Sequence, residues 1–271
     1  MTYTGYLEVE VGNKRNKSVI TNSFFDGVFK ITRPTYLPNG LPVLTLIHVG
    51  GGYVDGDTYL TEVVVNESSS LALTTQASTK VYKSPRYGVT QTLNFFLKNN
   101  SELYVKQDSL IAYKDACFTQ DIHVYMSSSA VFSYTDIITP GWAEDGSLFQ
   151  YQKVASKMRI YVDGELKVFD HLLLLPTDQL ERVMMLEGFS HLGTMYYLDQ
   201  KIDEAFLEVI RKELDRFSHQ ARFGVSMLSV KGMSVRILAN QTDIIESIFT
   251  SCEQSIRRNL YQQEKIDWRK C

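Results

Sequence analysis

Over its first two thirds the chain alternates short, apolar-patterned runs with turn signals, and that rhythm restricts it to a largely β body. Leu7, Val9 and Val11 alternate with Glu8 and Glu10, the period-two pattern of a strand with one buried face. Runs of the same kind follow at residues 43–48, 60–65, 71–75, 79–82, 89–97, 118–126 and 130–138. Pro38-Asn39-Gly40, Asp55-Gly56-Asp57, Lys98-Asn99-Asn100, Pro140-Gly141 and Asp145-Gly146 punctuate them, each rich in residues that accept turn dihedrals. Asp163-Gly164 lies between residues 157–162 and 165–169. That dipeptide predicts a hairpin, because both central residues of its tight turn need positive φ. A sandwich, a barrel and a β-helix all satisfy this pattern, and the residues alone leave the three open.

The last third has a different period. Leu198, Ile202, Ala205, Phe206, Val209, Ile210, Leu214 and Phe217 recur at helical spacing, with Glu204, Glu208, Arg211, Lys212 and Asp215 between them. This predicts an amphipathic helix. Residues 224–230 and 233–238 predict a hairpin about Lys231-Gly232. A second helix is expected from about Thr242, with Ile245, Ile248, Phe249, Cys252, Ile256 and Leu260 as its apolar stripe and Asn240 or Thr242 as its cap. No Pro- or Gly-rich linker separates the β and α parts. The expectation is one mainly β (α+β) domain over residues 1–271, with a β-rich body to about 195 and a helix–hairpin–helix packed on it.

Charge and composition narrow the function. The formal net charge is −3 and 22% of residues are charged, so there is no excess of base to attract nucleic acid or anionic lipid. No apolar run approaches the roughly 20 residues of a membrane span, and the first residues lack a secretory pattern. Cys117, Cys252 and Cys271 are odd in number and widely spread. That suits free thiols in a reducing compartment, and the cytoplasm is the expected setting. Cys252, in a helical apolar stripe, reads as a small buried hydrophobe.

The chemistry-bearing residues are sparse. His48, His123, His171, His191 and His219 include no i, i+4 pair, and no Cys-x-x-Cys occurs, so no tight metal site is expected from local ligands. There is no Gly-x-Ser-x-Gly, and Cys117 stands in no catalytic motif. No catalytic residue is assigned, and Asp115 and His123 offer only a weak dyad. The most unusual stretch is Gly50-Gly51-Gly52-Tyr53-Val54-Asp55-Gly56-Asp57. It lacks the Gly-Lys-Ser/Thr of a phosphate loop and the spacing of a dinucleotide fingerprint. It is a single copy of something like a calcium repeat, which works in tandem. Two readings stay open. One is a tight turn with solvated aspartates. The other is a loop whose glycines admit a partner while Asp55 and Asp57 offer carboxylates to a hard or borderline cation, weakly enough for it to leave.

The next segment is the most specific in the chain. Leu71-Ala72-Leu73-Thr74-Thr75-Gln76-Ala77-Ser78-Thr79-Lys80-Val81-Tyr82 resembles the Leu-Thr-Thr-Gln-Ala-x-Thr-Lys-Val-Tyr signature of the UreD/UreH family of urease accessory proteins. It follows Gly51-Gly52-x-x-x-Gly56-Asp57, which resembles that family's Gly-Gly-x-x-x-Gly-Asp motif, in the expected order. The closing Val235-Arg236-Ile237-Leu238 before a helix also fits. In Pro140–Phe149, Trp142 and Ser147 stand where members more often carry Arg and Glu. The resemblance implies a β-helix-like stack of strands with two appended helices. It implies a non-enzymatic scaffold that binds apo-urease and, with UreF and the GTPase UreG, enables nickel insertion through an internal watery route. It implies no tightly bound cofactor, only transient nickel. On that reading Asp57 and Asp55 line the passage, and Gly51, Gly52, Gly56, Thr75, Gln76, Thr79, Lys80 and Tyr82 order the loop or face a partner. The competing expectations are a calcium- or carbohydrate-binding β module and a β-helical hydrolase or lyase.

Overall fold

The computed structural model describes residues 3–180, 182 and 185–268; Cys271 lies outside them. The chain opens with an antiparallel hairpin, β1 (Gly5–Lys14) and β2 (Lys17–Gly27), turned by Arg15 and Asn16 at positive φ. Short β3 (Phe29–Ile31) and β4 (Thr35–Tyr36) both pair with β5 (Pro42–His48). From there the chain coils. One turn is β6 (Thr58–Val65), β7 (Ser70–Thr75) and β8 (Thr79–Val81); the next is β9 (Val89–Leu97), β10 (Glu102–Lys106) and β11 (Leu110–Ala112). A third holds β12 (Cys117–Met126) and β13 (Val131–Ile138), and β14 (Lys153–Val162) begins a fourth. Then come β15 (Glu165–Leu174), β16 (His191–Leu198), α1 (Glu204–Leu214), β17 (Ala221–Met227), β18 (Gly232–Ala239) and α2 (Thr242–Tyr261).

Register shows the solenoid-like stacking that the alternation alone left open. β1, β6, β9, β12 and β14 lie parallel in one sheet, and β5, β7, β10 and β13 in a second. β8 and β11 form a short third side. Thr58 pairs with Thr90, Val89 with Phe118 and Cys117 with Lys153, so successive coils advance by 32, 29 and 36 residues. Antiparallel strands close the stack: β2 at one edge, and β15 and the β16–β18–β17 meander at the other.

Stacked coils bring each inward side chain over its counterpart in the next coil. Val9, Val63, Phe95, Val124 and Ile160 form one such row, and all are fully buried. Burying a side chain of this size stabilises by about 1.5–3 kcal/mol, so the row is a continuous core. A second core lies between the outer face of the second sheet and the helices. There Met195, Tyr197, Val235 and Ile237 meet Leu207, Ile210, Ile245, Ile248 and Cys252. Gly193 of β16 allows the approach, since a Cβ there would fall 2.4 Å from Ile245 Cγ2. Burial pushes the Cys252 thiol up to about 12. Among the described residues, no helix is long and apolar enough to cross a membrane.

Two boundaries differ from the periodicity. Leu198 ends β16, and the first helix begins only at Glu204, because Asp203 caps it by accepting from Phe206 N at 2.8 Å. The cap of α2 is Gln241, without a side-chain bond; Asn240 Oδ1 instead accepts from Ser190 N. After α2 the chain folds back. Glu253 accepts from Ile266 N at 2.6 Å and from Trp268 Nε1 at 3.0 Å. Glu253→Ala leaves both donors without an acceptor, each worth about 1–3 kcal/mol where enclosed. The expected result is a tail that detaches locally, read as a red shift of tryptophan emission. Trp142, the other indole, is already half exposed and gives a solvent-like background.

Candidate functional site

The two sequence motifs are zipped together. Beyond His48 the backbone turns through Gly50, Gly51 and Gly52, with φ of 142° at Gly52. A Cβ on Gly52 would lie 2.7 Å from the Lys80 carbonyl oxygen. This close approach lets Tyr53 N donate to Lys80 O (2.8 Å) and Tyr82 N donate to Tyr53 O (2.9 Å). Tyr82 OH adds a bond to Gly51 O at 2.7 Å. The glycine loop thus becomes a bridge onto β8. Between them lies a cavity of about 210 Å³, lined among others by His48, Gly51, Gly52, Thr75, Gln76, Thr79 and Lys80. Gly56 takes φ of 90° and donates its N–H to Gly88 O.

The two aspartates part company. Asp55 accepts from the backbone N–H groups of Arg86 (3.2 Å), Tyr87 (2.9 Å) and Gly88 (2.9 Å). Desolvation works against its charge, but those amides and the Arg86 charge hold the carboxyl below its ordinary value. Both oxygens are engaged in stapling the loop before β9. Asp57 turns inward instead. It accepts from Thr4 Oγ1 (3.2 Å), Val54 N (2.7 Å) and Tyr59 OH (2.7 Å). Tyr59 OH in turn meets His48 Nε2 at 3.4 Å, so a carboxylate, a phenol and an imidazole run in line to the cavity wall. Tyr53 stacks on Tyr59 at 3.8 Å and Phe29 packs on its other side at 5.2 Å. Burial lowers His48, leaving a neutral imidazole suited to a borderline cation. Among the described residues no three His, Cys, Asp or Glu side chains gather as a metal cluster.

Beneath the cavity the lumen carries a polar stripe. Tyr59, Gln91, Gln120 and Ser156 are register partners from coil to coil of the first sheet. Across the lumen, Thr74, Lys106 and Thr135 are partners, so Thr75, Gln107 and Asp136 are next in line. The row continues from Asp136 to Thr194 and Arg236. Since register rows run perpendicular to strands, the stripe follows the solenoid axis. Gln120 Nε2 donates to Tyr134 OH and Ser156 Oγ at 3.2 Å each, and Tyr134 OH donates to Asp136 at 3.3 Å. Small voids of about 20 and 10 Å³ adjoin Gln91 and Gln107, about the size of a single water. Thr61 Oγ1, at the smaller void, has no protein partner. Burial pushes Asp136 up to about 6 against the downward pull of Arg236. Beyond Arg236 opens a groove of about 560 Å³ between β15 and β17–β18.

Sequence reasoning placed Asp55 and Asp57 side by side and missed His48, Tyr59, Gln91, Gln120, Asp136 and Arg236. The available signal was polar residues at inward strand positions, recurring once per coil. Known proteins align with this chain from end to end. A family model described as UreD urease accessory protein matches residues 3–269. A urease accessory protein UreD of Bacillus sp. (strain TB-90) is 43% identical over 270 residues, covering all of both chains. Those of Lachnoclostridium phytofermentans and Staphylococcus saprophyticus are each 35% identical over 266 residues, covering 97% of this chain and 97% and 95% of theirs. With the family model and these relatives matched over nearly the full length, the chain belongs to the UreD family of urease accessory proteins and serves in urease maturation.

Proposed function

We propose that this protein is a chaperone-like scaffold, without turnover of its own, that binds apo-urease and acts with UreF and the GTPase UreG to insert nickel. The ion is cargo, and its path is the stripe along the solenoid axis. The observation that carries this reading is the continuity of polar inward positions from the His48 cavity to the Asp170–Arg236 groove. Amide, hydroxyl and carboxylate oxygens spaced one coil apart can replace a moving ion's hydration shell piecemeal. Among the described residues, no position offers the three or four convergent ligands that would trap it. His48 and Asp57 stand at the mouth, where Tyr59 couples them. Asp55 acts as a loop staple on this reading, and Lys80 and Gln76 rim the cavity. The free Cys117 and Cys252 fit a reducing cytoplasm.

Asp57→Ala removes the acceptor for Tyr59 OH and a carboxylate at the mouth. Urease activation reconstituted with purified partners and nickel is expected to fall by about tenfold or more. Normal activation by a soluble variant that still assembles with UreF and apo-urease would sink the role given to Asp57. Co-purification of the parent chain with UreF and apo-urease tests the scaffold itself.

A further inference from the structure

The exit of the stripe is closed by a cation. Arg236, on β18 of the second sheet, donates to Asp170 Oδ2 on β15 of the first at 2.5 Å, bolting the two sheets across the end of the lumen. The same guanidinium donates to Thr194 Oγ1 at 2.6 Å and Tyr196 OH at 2.9 Å. These partners are side chains, which can re-pair without disturbing a strand ladder. Both members of the bolt also face the groove: their side chains are 36% and 29% exposed. Inward of the bolt stands Asp136, the register partner of Thr194, near enough to feel the Arg236 charge.

A fixed guanidinium is always charged, and like charges brought together in a partly desolvated site repel strongly. A divalent ion passing a seated Arg236 would have to compete with that charge for the same carboxylates. We propose that Arg236 is the gate of the exit: seated, it holds the place of the departing cation between Asp136 and Asp170; withdrawn into the groove, it hands both carboxylates to the ion. The inference rests on the passage reading above for its biological sense, but its test reads the isolated chain.

The purified full-length protein is titrated with Ni²⁺ and with Co²⁺, by calorimetry and by the cobalt absorption bands. Arg236→Gln removes the competing charge and is expected to bind either ion about tenfold or more tightly than the parent. Adding Asp170→Asn should abolish the gain. Arg236→Lys keeps the charge but cannot fork to three partners, so an intermediate gain is expected and the fold is retained. A merely structural arginine predicts lower stability with unchanged metal affinity. Unchanged affinity in folded Arg236→Gln, or a gain that survives Asp170→Asn, overturns the gate. If Arg236→Gln does not fold, Arg236→Lys decides, and absence of any gain overturns it. The outcomes separate from those of the passage reading. Impaired activation by Asp57→Ala with no Arg236 effect leaves the passage without this gate. Normal activation by Asp57→Ala with tighter binding in Arg236→Gln leaves a gated cation site without the passage.

Discussion

Gly52→Ala is expected to abolish most urease activation and to cost the fold about 2–4 kcal/mol. The new Cβ would fall 2.7 Å from the Lys80 carbonyl oxygen, 2.9 Å from Lys80 Cβ and 3.0 Å from Tyr82 Cε2. The first is backbone and cannot swing aside. The φ of 142° is also one that side-chain-bearing residues rarely adopt. The relaxation available is to part the loop from β8, which breaks the Tyr53–Lys80 and Tyr53–Tyr82 bonds, each worth about 1 kcal/mol net. That separation also dismantles the cavity. Its neighbour provides the control. A Cβ on Gly51 would meet Tyr82 OH at 3.4 Å, an ordinary contact, so Gly51→Ala is expected to change stability by less than about 1 kcal/mol. Urea unfolding and reconstituted activation on the pair separate the two. Equal behaviour of the two variants would contradict the zipped geometry.

Gln120→Leu tests the stripe from the opposite direction, with a large loss of activation and almost none of stability. The side chain is buried, and leucine has nearly its volume. Tyr134 OH keeps Asp136 as an acceptor when the amide is gone, and Ser156 Oγ, which loses its bond from the amide, is only half-buried and can turn to water. The two bonds lost are neutral ones of modest net worth and the added apolar burial offsets part of them, so unfolding free energy should stay within about 1 kcal/mol of the parent. The void that Gln91, Gln120 and Ser156 line would lose an amide and gain an apolar wall in its place. A partly hydrated divalent ion meets a steep desolvation cost in such a constriction, and activation is expected to drop by about tenfold or more. A folded variant that activates urease normally would place the ion elsewhere.

What was readable beforehand follows from the range of each interaction. Alternation at Leu7, Val9 and Val11 reports the two faces of one strand, so strands were legible from local pattern. The coil was not legible in that pattern and was expected only from the family resemblance, because Gln91 and Gln120 become neighbours only through a register set 29 residues away. Asp163-Gly164 announced its hairpin since turn geometry is local, yet β14 and β15 extend well past the predicted runs because pairing continues to Leu174. The amphipathic stripe through Leu198 and Ile202 overran α1, because strand residues facing a core mimic a helical period over a few positions. The glycine loop was legible as an unusual turn, but Asp55 and Asp57 differ only in what the fold brings to them: the amides of residues 86–88 for one, Tyr59 and Thr4 for the other.

The stacking of coils carries a consequence for how this protein loosens. Each coil rests on the coils before and after it, so cooperativity passes between neighbours and openings begin at the ends of the stack. Amide exchange should therefore fade inward from both ends, with β9 and β12 the last to give way. The mouth beside His48 and the closure at Arg236 both lie toward those ends, while Gln91 and Gln120 sit at the middle. On the proposed passage, the segments cheapest to distort are the ones that would rearrange for cargo, and the slowest-exchanging coils are the ones that would keep its path in line.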